Sequence, residues 1–306
     1  MNPQPHSGAL QDAKYFPCHQ PGFLAAQSVG RYAVQSLHQE LATYPKPGLV
    51  SPVDSGSHQD MDASLFFRSL FSLRRYFREI AFAGLYGVSF QDLMQLGVTA
   101  ETRMLQATQG INTHRGAIFN LGLLAASAGH LLHTNVSLEQ EALGVEVCTR
   151  WGDAIREHGK SLSKTSHGSL VASRYGVGGA IHEASTGFPH LFKVGLPALQ
   201  KSLALGVDPN RAVVQCLFSL MAVLPDTNLL YRGGESGLAF AQASAHAFLA
   251  AGGVHRHDWQ KHAVEIHRQF VNLNLSPGGS ADLLAATLFV DRLQRFADGC
   301  KGDGLK

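Results

Sequence analysis

The chain has 306 residues, 45% hydrophobic and 16% charged, which is enough to enclose one large core and too apolar for a disordered chain. Its formal net charge of +2, with Lys and Arg spread along the sequence, excludes the basic stripe of a nucleic-acid or membrane-surface binder. No stretch approaches the roughly 20 uninterrupted apolar residues of a membrane span, the start of the chain lacks an apolar signal run, and Cys18, Cys148, Cys216 and Cys300 lack ligand spacing, so a soluble cytoplasmic protein with reduced thiols is expected.

Residues 1 to 22 read as a loose tail, and from Leu24 to Ala42 apolar residues recur every three or four positions, as on a helix face. The stretch PKPGLVSPVDSGSHQDMD (45–62) follows, too polar and too broken for core; Pro45, Pro47, Gly48 and Gly56 make it a loop of definite shape. It runs into a helix over 61–83, so Asp60 and Asp62 fall at a helix start, where carboxylates cap backbone N–H groups. Further helices are predicted over 90–108, from about 111 through LGLLAASAG, and over 137–157, 190–205, 209–224, 237–251, 257–272 and 280–297. Alternating β-branched runs are nearly absent, so the expected fold is all-α, one compact multi-helix domain over 23–298, with a short tail over 299–306.

Between the helices lie GINTHRG (110–116), SHG (166–168), HEASTGFP (182–189), DTNLLYRGG (226–234) and NLSPGGSAD (274–282), read here as Gly-rich turns. Asp60, Asp62, Glu101, Glu183, Asp226 and Asp282 offer carboxylates, with Asn112 and Asn228 as neutral oxygen ligands, a hard donor set that suits Mg²⁺. Lys46, Arg115 and Arg232 supply cations, His58, His114 and His167 supply further donors, and the backbone of Ser276, Gly278 and Gly279 at a helix start can present N–H groups to phosphate. No Walker A loop, Gly-x-Gly-x-x-Gly fingerprint or Gly-x-Ser-x-Gly elbow occurs, and His182-Glu183 is followed by Thr186 where a zinc helix needs its second His. The residues alone lead to a Mg²⁺-dependent enzyme acting on a nucleotide or polyphosphate, without choosing the reaction.

PKPGLV with SGSHQDMD, AETRML with TQGINTHRGAIFNLGLL, SHG, EASTGFP, LMAVLPDTNLLYRGG and NLSPGGSADLLAAT run in order from about residue 40 to 290. Together they resemble the triphosphoribosyl-dephospho-coenzyme A synthases, and SPVDSGSHQDMDASLFFRSL looks more like the malonate decarboxylase branch than the citrate lyase branch. The resemblance implies an all-helical enzyme that moves the triphosphoribosyl part of ATP to 3′-dephospho-coenzyme A and releases adenine. It also implies a later transferase that loads the product onto an acyl carrier. Two departures stand out: Arg115 replaces a lysine frequent in that family, and Ile181 stands where an arginine is common.

For such a reaction the expected assignments are Asp60, Asp62, Asp226 and Asn228 for Mg²⁺, and Lys46, Asn112, Arg115, Arg232, Ser276, Gly278 and Gly279 for the nucleotide. Glu101 and Glu183 are the candidates for base or C1′ stabiliser, and His58 or His114 would handle protons. Against these stand simpler readings, with Arg115 in a surface ion pair, Glu101 a helix-face charge and Asp282 an acid at the start of its own helix. Two other functions fit the same residues, a Mg²⁺-dependent nucleotide N-glycosidase or phosphohydrolase and a non-catalytic carrier of a coenzyme precursor. The Gly- and Ala-rich segment LGLLAASAG permits close helix packing and hence a homodimer.

Overall fold

The structure, a computed structural model, describes residues 21–139, 141–161 and 167–302, with the side chains of residues 21, 167–169 and 298–302 outside the description. All regular structure among the described residues is helical. It runs α1 (Pro21–Ala42), α2 (Ala63–Ser72), α3 (Arg74–Leu85), α4 (Phe90–Ala107), α5 (Arg115–His133), α6 (Ala142–Ser161) and α7 (His167–Tyr175). Then come α8 (Gly179–Ser185), a π-helical turn (Leu191–Gly195), α9 (Leu196–Ala204), α10 (Pro209–Val223), α11 (Thr227–Ala250), a 3₁₀ turn (Gly253–His255), α12 (Trp259–Asn272) and α13 (Gly278–Gly302). The all-α expectation holds.

The central helix is α5, apolar on nearly every side and packed by α1, α3, α4, α6 and α13. It is long and apolar enough to cross a membrane, but 72% of that window is buried inside the protein. Its small residues are used internally. A Cβ on Gly84 would meet the Ala126 carbonyl oxygen at 2.0 Å, and one on Gly129 would meet that of Ala81 at 2.0 Å, so α3 and α5 lie nearly backbone to backbone. The LGLLAASAG segment is thereby occupied within the chain, and the ground for a homodimer through it falls away.

Several boundaries differ from expectation. The helix expected over 61–83 is two, because the Ser72 hydroxyl donates to the Ser69 carbonyl at 2.6 Å and Leu73 closes a tight final turn on Leu70. The DTNLLYRGG stretch is helix rather than turn: Asp226 caps it, Leu229 and Leu230 are buried, and the break comes at Gly234 (φ 62°). HEAS belongs to α8, and α13 extends through Gly302, into the expected tail. The N-terminal tail falls almost wholly outside the described residues, as do Ser166 of the SHG cluster and the side chain of His167.

Candidate active site

The loop over 45–62 is held by its own polar groups. Gly48 (φ 66°) lies so close to the 273–277 turn that a Cβ would meet the Leu275 carbonyl oxygen at 2.0 Å. Ser57 donates its hydroxyl to that carbonyl at 2.6 Å, and its N–H to the Gly48 carbonyl at 3.0 Å. His267 of α12 sits beneath, Nδ1 2.8 Å from the Lys46 carbonyl and Nε2 3.2 Å from Asp54.

At the rim of this loop, Arg232 donates to the carbonyls of Ser57 (3.0 Å) and Asn274 (3.2 Å), to the Asn274 side chain (2.9 Å) and to His58 Nδ1 (3.1 Å). A guanidinium can only donate, so His58 Nδ1 accepts, the ring proton sits on Nε2, and Nε2 donates to Ser276 Oγ at 3.0 Å. Burial, and then the Arg232 charge, lower the His58 pKa to about 4. Asp60, 63% exposed, approaches it only to 4.0 Å.

Deeper lies a cluster of charge. Lys46, 1% exposed, places Nζ 2.6 Å from the Glu40 carbonyl and 2.5 Å from Glu40 Oε1, so the lysine expected to bind phosphate is paired inside the protein. Burial lowers its pKa against the pull of Glu40. His114, 3% exposed, contacts Ser69 Oγ through Nδ1 at 2.6 Å, while Nε2 is buried without a partner. Burial and the nearby Lys46 charge depress its pKa to about 3.

Asp226 accepts four hydrogen bonds. Oδ1 receives the N–H groups of Asn228 (2.9 Å) and Gly279 (3.2 Å); Oδ2 receives the N–H (2.7 Å) and hydroxyl (2.9 Å) of Ser280. It therefore caps α11 and the start of α13 together. Gly278 N–H goes to the Ser276 carbonyl and Ala281 N–H to that of Pro277, so the phosphate cradle expected at Gly278 and Gly279 is already filled by the protein. The Asn228 amide packs against Gly278.

Other expected ligands are also engaged. Asp62 caps α2 through Leu65 N–H at 2.8 Å, so of the two readings of a helix-start carboxylate the cap is the one observed. Asn112 accepts Arg115 N–H at 3.1 Å and opens α5, and Arg115 Nε donates to Glu101 at 2.6 Å. Glu183 accepts from His190 twice, through N–H at 2.8 Å and Nδ1 at 2.7 Å, and this contact raises the His190 pKa. Ile181 packs against Gly159 of α6, where an arginine would meet that helix. Asp282 is one turn inside α13 and does not cap its own helix; it reaches the first turn of α5.

No three His, Cys, Asp or Glu side chains converge as around an ion among the described residues, so the Asp60, Asp62 and Asp226 triad is not assembled. What does assemble is the set of helix starts, with α5, α11 and α13 meeting at residues 114–117, 226–228 and 276–282. Glu40, Ser69, Ser280 and His190 are partners that sequence reasoning missed. Only Glu40 left a trace, as an acid near the end of a helix six residues before a lysine.

His58 and His114 make the fold acid-sensitive. Each binds its proton less readily folded than unfolded, so stability is intact above the unfolded pKa near 6.5 and is lost as pH falls toward about 4 and about 3. At pH 4.5 the loss is roughly 2 to 3 kcal/mol per histidine. Urea denaturation at pH 7.5 and 4.5 measures it; a His58→Gln, His114→Gln variant as pH-sensitive as the parent would refute it.

The profile of the ATP:dephospho-CoA triphosphoribosyl transferase family matches residues 26–300, nearly the whole chain. The chain belongs to this family. A probable 2-(5″-triphosphoribosyl)-3′-dephosphocoenzyme-A synthase of Acinetobacter calcoaceticus is 42% identical over 259 residues, covering 85% of this chain and 88% of the relative. One of Pseudomonas putida, named in the same words, is 40% identical (87% and 95% covered), and the synthase of Pectobacterium atrosepticum is 38% identical (85% and 87%). No solved structure matches the chain.

Proposed function

We propose that this chain transfers the 5-triphosphoribosyl group of ATP to the 2′-hydroxyl of 3′-dephospho-coenzyme A and releases adenine. The observation that carries the reading is that four of the motif stretches of a chain of this family meet around the starts of α5, α11 and α13. Separate structural turns have no reason to gather there. Of the other two, EASTGFP is accounted for locally by the Glu183–His190 contact, and SHG lies largely outside the described residues.

In the reaction the C1′–N9 bond of ATP breaks, a C1′–O bond to the coenzyme forms, and the hydroxyl proton is matched by one gained by adenine. Charge builds on C1′ between the two events, and fixed carboxylates stabilise it. Arg115 and Arg232, at the mouth of the cluster, hold the triphosphate, with Glu101 and Asn274 orienting their guanidinium planes. His58, neutral at pH 7, donates from Nε2.

Mg²⁺ fits as part of the ATP complex, since it takes one or two carboxylates together with phosphate oxygens. Exposed Asp60 is the group suited to it, and it supplies neutralisation of triphosphate charge. The likeness of residues 51–70 to the malonate decarboxylase branch supports a product destined, through a second transferase, for the acyl carrier of that enzyme, in the cytoplasm.

Mass spectrometry of the protein incubated with ATP, Mg²⁺ and 3′-dephospho-coenzyme A tests the reading. Adenine and the triphosphoribosyl adduct are expected together, and only with both substrates. Adenine or phosphate without adduct would instead establish a hydrolase, and binding without turnover a carrier.

A further inference from the structure

We infer that Asp282 is the catalytic acid that protonates the departing adenine. The inference deepens the transferase reading and rests on it.

Its position has no purpose in its own helix. Asp226 and local carbonyls already satisfy the start of α13. Asp282 instead crosses to α5, where it accepts the N–H of Ala117 and packs so tightly over Gly116 that a Cβ there would lie 1.9 Å from Oδ2. Only glycine leaves room for it. Part of the residue reaches solvent.

The groups facing it decide its charge. Glu40 of α1 and Asp226 before α11 are both acidic, and Lys46 is committed to Glu40. Burial first, then these two carboxylates, hold the Asp282 carboxyl well above the usual range, against the single N–H of Ala117. Its carboxyl holds a proton more readily than an ordinary aspartate, as a proton donor requires.

An independent observation marks the same place as a ligand site. His114, the residue just before α5, is almost wholly buried and leaves Nε2 without a partner. An unsatisfied buried nitrogen is costly until something binds it. A carboxylic acid and an open imidazole nitrogen thus flank one helix start.

The chemistry needs such an acid. When the C1′–N9 bond breaks, its electron pair goes to adenine, and a proton delivered from Asp282 to a purine ring nitrogen makes the leaving group neutral. The oxygen of the 2′-hydroxyl bonds to C1′, and the hydroxyl proton restores Asp282 by the end of the cycle. No oxidant or further reactant is required.

The test compares wild type with Asp282→Asn, whose amide oxygen still accepts from Ala117, by following base release from ATP and from ATP methylated at N7. The methylated base is cationic and leaves without protonation. Expected is a loss of about a hundredfold or more in kcat with ATP, a loss under about tenfold with the methylated nucleotide, and a Tm at pH 8 no lower than wild type. The last follows because a carboxyl whose folded pKa exceeds its unfolded value contributes fully below that unfolded value and loses its contribution as pH rises. Equal losses on both nucleotides, or ATP turnover within about threefold of wild type, overturn the assignment. Base release without adduct in wild type would refute the transferase alone and leave the Asp282 comparison intact, whereas no release from wild type removes both.

Discussion

Lys46→Met is expected to lower folding stability by about 3 to 5 kcal/mol, because it strands the Glu40 carboxylate in the interior. The lysine is 1% exposed and the Glu40 side chain 8%, so water does not replace the lost partner. Asp282 and Asp226 add acidity to the same neighbourhood. The pair itself is worth much less than this figure, since desolvating two ions consumes most of their attraction. Lys46→Met with Glu40→Leu should therefore recover most of the loss. Urea denaturation of the two single variants and the double variant isolates the coupling. The double variant also separates the two roles open to Lys46: a lysine that swings to the triphosphate predicts a folded protein with kcat/KM for ATP down about a hundredfold. The buried pairing with Glu40 predicts a folded double variant with normal turnover, and the hundredfold loss would return Lys46 to the triphosphate.

What the sequence made legible was the helical framework and the polar motifs that gather between its helices, far more than their wiring. Apolar periodicity located α1, where Val29, Ala33, Leu37 and Leu41 are all buried, because burial of a helix face is written at fixed spacing. The break at Leu73 was illegible, since it turns on one serine hydroxyl competing for a carbonyl. Of the polar motifs read from the sequence, those of residues 45–62, 110–116, 226–234 and 274–282 lie together in the structure. Which of their groups face a ligand and which face each other depends on contacts between segments more than a hundred residues apart, such as Arg232 with Ser57 and His58 with Ser276. Asp62 and Asp226 have the residue type of metal ligands and of helix caps alike, and the cap is what the backbone around them demands. Asp282 shows the converse error: it looked like a local helix acid, and only the packing of α13 on Gly116 reveals where it points.

Asp226→Ala is the second large effect, an expected loss on the order of 4 kcal/mol. The carboxylate is the common acceptor for three backbone N–H groups and one hydroxyl at the junction of α11 and α13, and Ser280 is fully buried. Alanine leaves these donors facing one another, and each that water cannot reach costs roughly 1 to 3 kcal/mol. Against this stands relief from burying an acid, because burial of Asp226 outweighs its hydrogen bonds and leaves its pKa raised. That opposing effect is the smaller, since it vanishes once the carboxyl takes a proton while the four donors remain. Asp226→Asn should fall between, its oxygen keeping one pair of donors and its NH₂ group opposing the other. The same series weighs capping against metal binding. With its four hydrogen bonds made, the carboxylate has no lone pair left for Mg²⁺, so the stability loss should be the same with and without MgATP. An Asp226→Asn protein of wild-type stability that no longer responds to Mg²⁺ would return this residue to the metal and remove it from the scaffold.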